Sequence, residues 1–304
     1  MTPRRTGLLL ALATATISGF AVFLNSYGVR AVGNATTYTT LKNSVALLVL
    51  LGVVGALTAA RPRRRPLVSR PTRPVQWAGL AVVGLVGGAV AFVLFFEGLA
   101  RASSTNAAFL HKTLLIWVAL LAVPLLGERL GVWHVLAIGL LVVGQVGLAG
   151  GGSSLIGAGE AMVLAATVLW AGEVVLAKWL LAGLTSWTLA LARMGVGSAV
   201  LVAWTAARGG FGVVASLTAA QWGWVLLTGL LLAGYVGTWY GALAHAPAVD
   251  VTAVLVVGSV ITTVLATAVN GAPLAPQLGW VLVILAGGAL VAVPLWRAPQ
   301  VAPA

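Results

Sequence analysis

Apolar runs long enough to cross a bilayer as a helix recur along the chain at about 7–25, 37–59, 77–100, 103–126, 132–150, 157–182, 185–207, 221–243, 249–270 and 278–296. The connections between them are short and marked by Gly, Pro or charge, as at Gly150-Gly151-Gly152, Gly209-Gly210 and Ala272-Pro273. Ionisable positions inside the runs are few. The pattern predicts an all-α integral membrane protein of ten transmembrane helices.

The pattern also occurs twice. Leu99-Ala100-Arg101-Ala102, an apolar run and Gly127-Glu128-Arg129-Leu130 return as Leu243-Ala244-His245-Ala246, another apolar run and Gly271-Ala272-Pro273-Leu274. Gln76-Trp77 and Gly84 return as Gln221-Trp222 and Gly229, and Thr58-Ala59-Ala60-Arg61 returns as Thr205-Ala206-Ala207-Arg208. This duplication predicts two five-helix repeats, 1–152 and 153–304, with the break near Gly150–Ser154. Five is odd, so the second repeat enters the membrane inverted, and each half builds one gate around a central site. Gly84 with Gly88, Gly237 with Gly241, and the recurring Gly144 and Gly288 are small residues suited to close helix packing.

Composition supports lipid as the main solvent. The chain of 304 residues is 61% hydrophobic and 7% charged, against about a quarter charged in soluble proteins. The net charge of +12 does not point to nucleic acid, because Arg61, Arg63, Arg64, Arg65, Arg70 and Arg73 share one Pro-rich loop. That is a topology signal. It places the N-terminus, this loop, Arg129 and Arg297 in the cytoplasm, leaves Arg30, Arg101 and Arg208 outside, and returns the C-terminus to the cytoplasm. Arg4-Arg5 and the run to Leu24 resemble a signal peptide, but the second half has its own first span, so the segment reads as a retained helix. With no cysteine, disulfides, thiolate metal sites and Cys nucleophiles are excluded. Richness in Ala, Gly, Val and Leu fits a bacterial inner membrane.

Five spans per half, the Gly127-Glu128-Arg129-Leu130 turn between the fourth and fifth spans, and a basic residue early in spans two and seven (Lys42, Arg193) resemble the drug/metabolite transporter superfamily, EamA type. The resemblance covers nearly the whole chain. It implies a ten-helix carrier of inverted repeats whose substrate is a small metabolite, often an amino acid or related compound, commonly exported. Two positions depart from the pattern. Gly271-Ala272 leaves Glu128 without a repeat partner, and the fourth span carries His111-Lys112 where relatives have small or apolar residues.

Charges within a membrane are costly and usually face a cavity or a partner. Glu173 and Arg193 fall at one depth on consecutive helices, so an ion pair is expected: either a structural bridge, or a site in which Arg193 binds a carboxylate and Glu173 an ammonium group or a proton. Lys42, the repeat equivalent of Arg193, either binds substrate or snorkels to the headgroups. Lys112 lies too deep to snorkel, and Glu97 is a loose candidate partner. His111 is either a proton relay or a neutral hydrogen-bonded histidine. Trp170, one turn from Glu173, is too deep for an interfacial belt and is read as a cavity wall or lipid-facing packing, with Tyr235, Trp239 and Tyr240 in span eight as further aromatic candidates. Asp250 and Asn106 read as N-caps of spans nine and four. Glu128 with Arg129 reads as a loop salt bridge or latch, and Glu160 as solvated.

No zinc-protease, nucleophile-elbow or Walker motif is present, so an enzyme, a resident cofactor or direct ATP drive is not expected. The expected partners are a small-molecule substrate, the lipid bilayer and protons, and the expected state is a monomer or homodimer. A non-transporting sensor or scaffold, and a lipid-handling protein or intramembrane enzyme, remain the alternative classes.

Overall fold

The computed structural model describes residues 2–60, 66–102, 104–148, 157–271 and 275–297. Arg61 and Arg63–Arg65, the Gly150–Ser154 break and the Ala272-Pro273 turn lie outside these residues. The described chain is helical throughout, with no strand. In water-free surroundings a backbone satisfies its own N–H and C=O groups most simply as a helix, and these apolar runs do so.

The helices are α1 (Pro3–Val32), α2 (Ala35–Ala60), α3 (Pro74–Val82), α4 (Ala91–Arg101), α5 (Ser104–Lys112), α6 (Leu114–Leu126), α7 (Val132–Leu148), α8 (Ala158–Leu180), α9 (Ser186–Ala207), the short α10 (Phe211–Ala215), α11 (Ala219–His245), α12 (Ala248–Val256), α13 (Gly258–Asn270) and α14 (Ala275–Arg297). A π-helical stretch, Val83–Val90, joins α3 to α4 into one segment. Among the described residues, 9 segments are long and apolar enough to cross a membrane. α7, with 17 residues, is a shorter apolar helix.

Two differences from the sequence pattern have local causes. α1 runs on past Leu24 to Val32, because Asn25 and Ser26 turn inward and donate to the Ala21 and Phe23 carbonyls instead of starting a loop. Spans four and nine are each interrupted, at Thr113 and Val257. At the first break the Thr113 amide and hydroxyl both donate to the Leu110 carbonyl, tightening the turn.

Packing between the halves is paired. α1 lies on α11 as α8 lies on α4; α2 meets α11 as α9 meets the π-helical stretch; α7 packs on α14, and α2 on α9. The close approaches repeat too. Gly84 sits on the Ala192 carbonyl and Val196, and Gly229 on the Lys42 carbonyl and Val45. Gly88 meets the backbone of Arg193 and Gly197, whereas Gly237 has only distant side-chain neighbours, so the expected glycine seam forms fully in one half alone. Gly127 and Gly271 end α6 and α13 at φ of 66° each, a conformation that favours glycine.

One end of the bundle is tied by polar contacts across the halves. Arg4 donates to Asp250 at 2.7 Å, and His134 lies 3.0 Å from the same carboxylate. Asp250 is therefore an ion-pair anchor in the first turn of α12, not its N-cap, which is Pro247. Glu128 does not pair with Arg129. Its carboxylate accepts from the Ala248 and Val249 amides at 2.6 and 3.0 Å, capping a helix of the other half whose own N-cap cannot do so. Glu128→Ala should lower stability by about 1–2 kcal/mol, read as a lower unfolding temperature in detergent. At the opposite end Thr36 and Arg101 donate to Glu97, and Asn106 donates to Glu160.

Candidate functional site

Between the halves lies a cavity of about 80 Å³. One water needs about 10–15 Å³ in that measure, so the space admits several waters or a small organic group. Its walls come from α1, α2, α4, α5, α6, α8, α9 and α11, so neither half alone can form it.

The π-helical stretch shapes one wall. Its widened turn leaves the Gly87 carbonyl open to side chains, and both Trp170 Nε1 (3.0 Å) and Arg193 (3.2 Å) donate to it. Glu173 packs directly beside Gly87, where a side chain would collide with it. The Tyr240 hydroxyl donates to Glu173, while the second Glu173 oxygen and Arg193 Nε have no hydrogen-bond partner. The direct Glu173–Arg193 ion pair expected from helix depth is not formed: Arg193 donates to the Gly87 carbonyl and Glu173 accepts from Tyr240 instead. The Arg193 guanidinium lies 5.4 Å from the Phe92 ring centre and 5.9 Å from that of Tyr240.

Lys42 faces this arrangement from α2. It is 2% exposed, so it does not snorkel to an interface. Its ammonium donates to Asn25 Oδ1 at 3.3 Å and sits 3.8 Å from the Phe96 ring centre. Asn25 in turn accepts from Tyr38, which is also bonded to Thr228. His111 packs edge-on between Phe95 and Trp170, and its Nδ1 has no hydrogen-bond partner. Tyr235 and Trp239 stack on each other at 5.8 Å along the α11 wall.

Of the residues singled out in the sequence, Lys42, His111, Trp170, Glu173, Arg193, Tyr235 and Trp239 line the cavity together. Lys112 does not. It donates to Ser18 Oγ at 3.0 Å and borders a separate, smaller apolar space beside Gln145 and Val256. Glu97 is committed to Arg101 and Thr36 and does not reach it. Ser18, Asn25, Thr228 and the Phe92, Phe95 and Phe96 cluster also line it, with small and aliphatic side chains filling the remainder. The polar ones could have been found as buried-face residues within spans one and eight; attention to ionisable groups alone passed over them.

These features define a polytopic membrane protein with a polar and aromatic cavity between its halves. The family model described as the EamA-like transporter family matches residues 5–150 and 157–293, and the chain belongs to that family. Members of the family are membrane transporters of small molecules, and this chain is a multi-pass member. A search of curated proteins found no match. A solved structure described only as the crystal structure of a protein shares the fold at a TM-score of 0.71 and 17% identity, over 97% of this chain and 99% of the other.

Proposed function

We propose that this protein is a secondary carrier of ten transmembrane helices in two inverted repeats, 1–152 and 153–304, in a bacterial inner membrane with both termini in the cytoplasm. It exports a small metabolite, such as an amino acid or related compound, by alternating access. The observation that carries this reading is the cavity between the halves, where Lys42, Arg193 and Glu173 meet an aromatic wall of Trp170, Tyr235 and Trp239. The paired helix contacts between halves support the repeat design. Unpartnered atoms on Glu173 and His111 are suited to carrying a proton in exchange, with the substrate's own gradient as the other driving force. Lys112 acts on the site through Ser18, not by direct contact.

The test is counterflow of labelled amino acids, amines and organic acids into proteoliposomes, with and without a pH gradient. Saturable counterflow of at least one compound, competed by its unlabelled form, is expected. Silence across a broad panel from folded protein would overturn the carrier reading.

A further inference from the structure

The buried charges of this protein do not balance. The chain has 5 acidic residues, and each has a place. Glu97 serves Arg101 and Thr36, Glu128 caps α12, Asp250 holds Arg4 and His134, and Glu160 accepts from Asn106. Only Glu173 reaches the cavity, where it stands with Arg193 around the Tyr240 hydroxyl. Lys42 therefore faces the cavity without a carboxylate. An ammonium has three donors, and this one finds a single acceptor, Asn25 Oδ1, which it shares with Tyr38. The faces of Phe96, Phe92 and Tyr38 offset only part of the cost of burying it. Arg193 adds an unpartnered Nε.

At their formal charges, with Glu173 ionised and His111 neutral, two lining cations against one carboxylate leave a single positive charge. A monoanion neutralises it, a zwitterion leaves it unchanged and an amine doubles it. Lys42 and Arg193 also line the same cavity, and the ammonium lies 5.3 Å and the guanidinium 5.4 Å from the centre of the Phe92 ring, which keeps the two cations within about 11 Å of each other. Apolar rings of Phe95 and Trp170 continue the wall beyond it.

Resting on the carrier reading above, we propose that the transported solute is an organic monoanion. Its carboxylate, not balanced by an ammonium group, sits between Lys42 and Arg193, and its apolar body lies against Phe92, Phe95 and Trp170. Electrostatic complementarity of this kind sets which solute is accepted more than how tightly.

Three labelled probes on one carbon skeleton separate the possibilities: 3-phenylpropionate (anion), phenylalanine (zwitterion) and 2-phenylethylamine (cation). Binding to the purified protein is measured by scintillation proximity, and counterflow in proteoliposomes. The anion should bind at least tenfold tighter than the other two. K42Q should erase that preference and K42R keep it, each checked for folding by thermal melt; the wild-type ranking decides by itself if K42Q does not fold. Equal or tighter binding of phenylalanine or the amine, or an unchanged preference in K42Q, overturns the proposal. Saturable phenylalanine counterflow without anion preference would overturn the charge assignment and leave the carrier reading standing. Loss of saturable flux for every probe and for the broad panel would overturn both.

Discussion

Arg193→Ala is expected to reduce saturable counterflow to the level of protein-free vesicles, while the purified variant stays folded. The guanidinium is 4% exposed and bonds the Gly87 carbonyl, so its charge acts in a low-dielectric space. Its removal takes away a buried cationic contact to the solute, worth about 2–5 kcal/mol, which corresponds to at least about 30-fold in binding. It also removes a neighbouring cation from Glu173, whose hydrogen bond comes from Tyr240. Arg193→Lys keeps the charge and loses the planar fork, so it should recover part of the flux. Glu173→Gln preserves shape and the Tyr240 contact; it should retain exchange of labelled substrate but lose its response to a pH gradient. Wild-type behaviour in both Arg193→Ala and Glu173→Gln would remove these residues from the site.

The second large effect is structural. Gly88→Val should leave little monodisperse protein and lower stability by about 3 kcal/mol or more, seen as early unfolding in detergent. A methyl group built on Gly88 falls on the Arg193 carbonyl and the Gly197 backbone. Backbone cannot swing aside as a flexible side chain can, so the π-helical stretch and α9 must separate. That movement would also pull Arg193 from Gly87. Gly52→Ala is the matched control: nothing lies within 4 Å of its added methyl group, and replacing a helical glycine by alanine should be neutral or stabilising by up to about 1 kcal/mol. Equal stability of Gly88→Val and wild type would show that this seam does not hold the halves together.

Much of the site was legible before any coordinates, for a reason that particular residues illustrate. Lys42, Glu173 and Arg193 stand out because an ionisable group in an apolar run is too costly to keep without a cavity or a partner. Trp170 stands out by depth. Lys112 met the same criterion but lies behind Ser18, since depth along a helix does not say which way the side chain faces. The Glu173–Arg193 pair failed similarly. Glu173 and Arg193 both lie beside Gly87 and Tyr240, yet they bond to those neighbours and not to each other, and neighbours across helices are set in three dimensions.

The amino-acid pattern alone thus determined helical spans, their duplication and the short set of chemically active side chains, because lipid penalises every unpaired backbone group and every stray charge locally, residue by residue. Only the tertiary structure decided that Glu128 caps a helix of the other half, that Asp250 anchors Arg4 and His134, and that a π-helical turn presents Gly87 to Trp170 and Arg193. These contacts join positions far apart in the chain, and their energy depends on direction and distance, which no one-dimensional pattern contains.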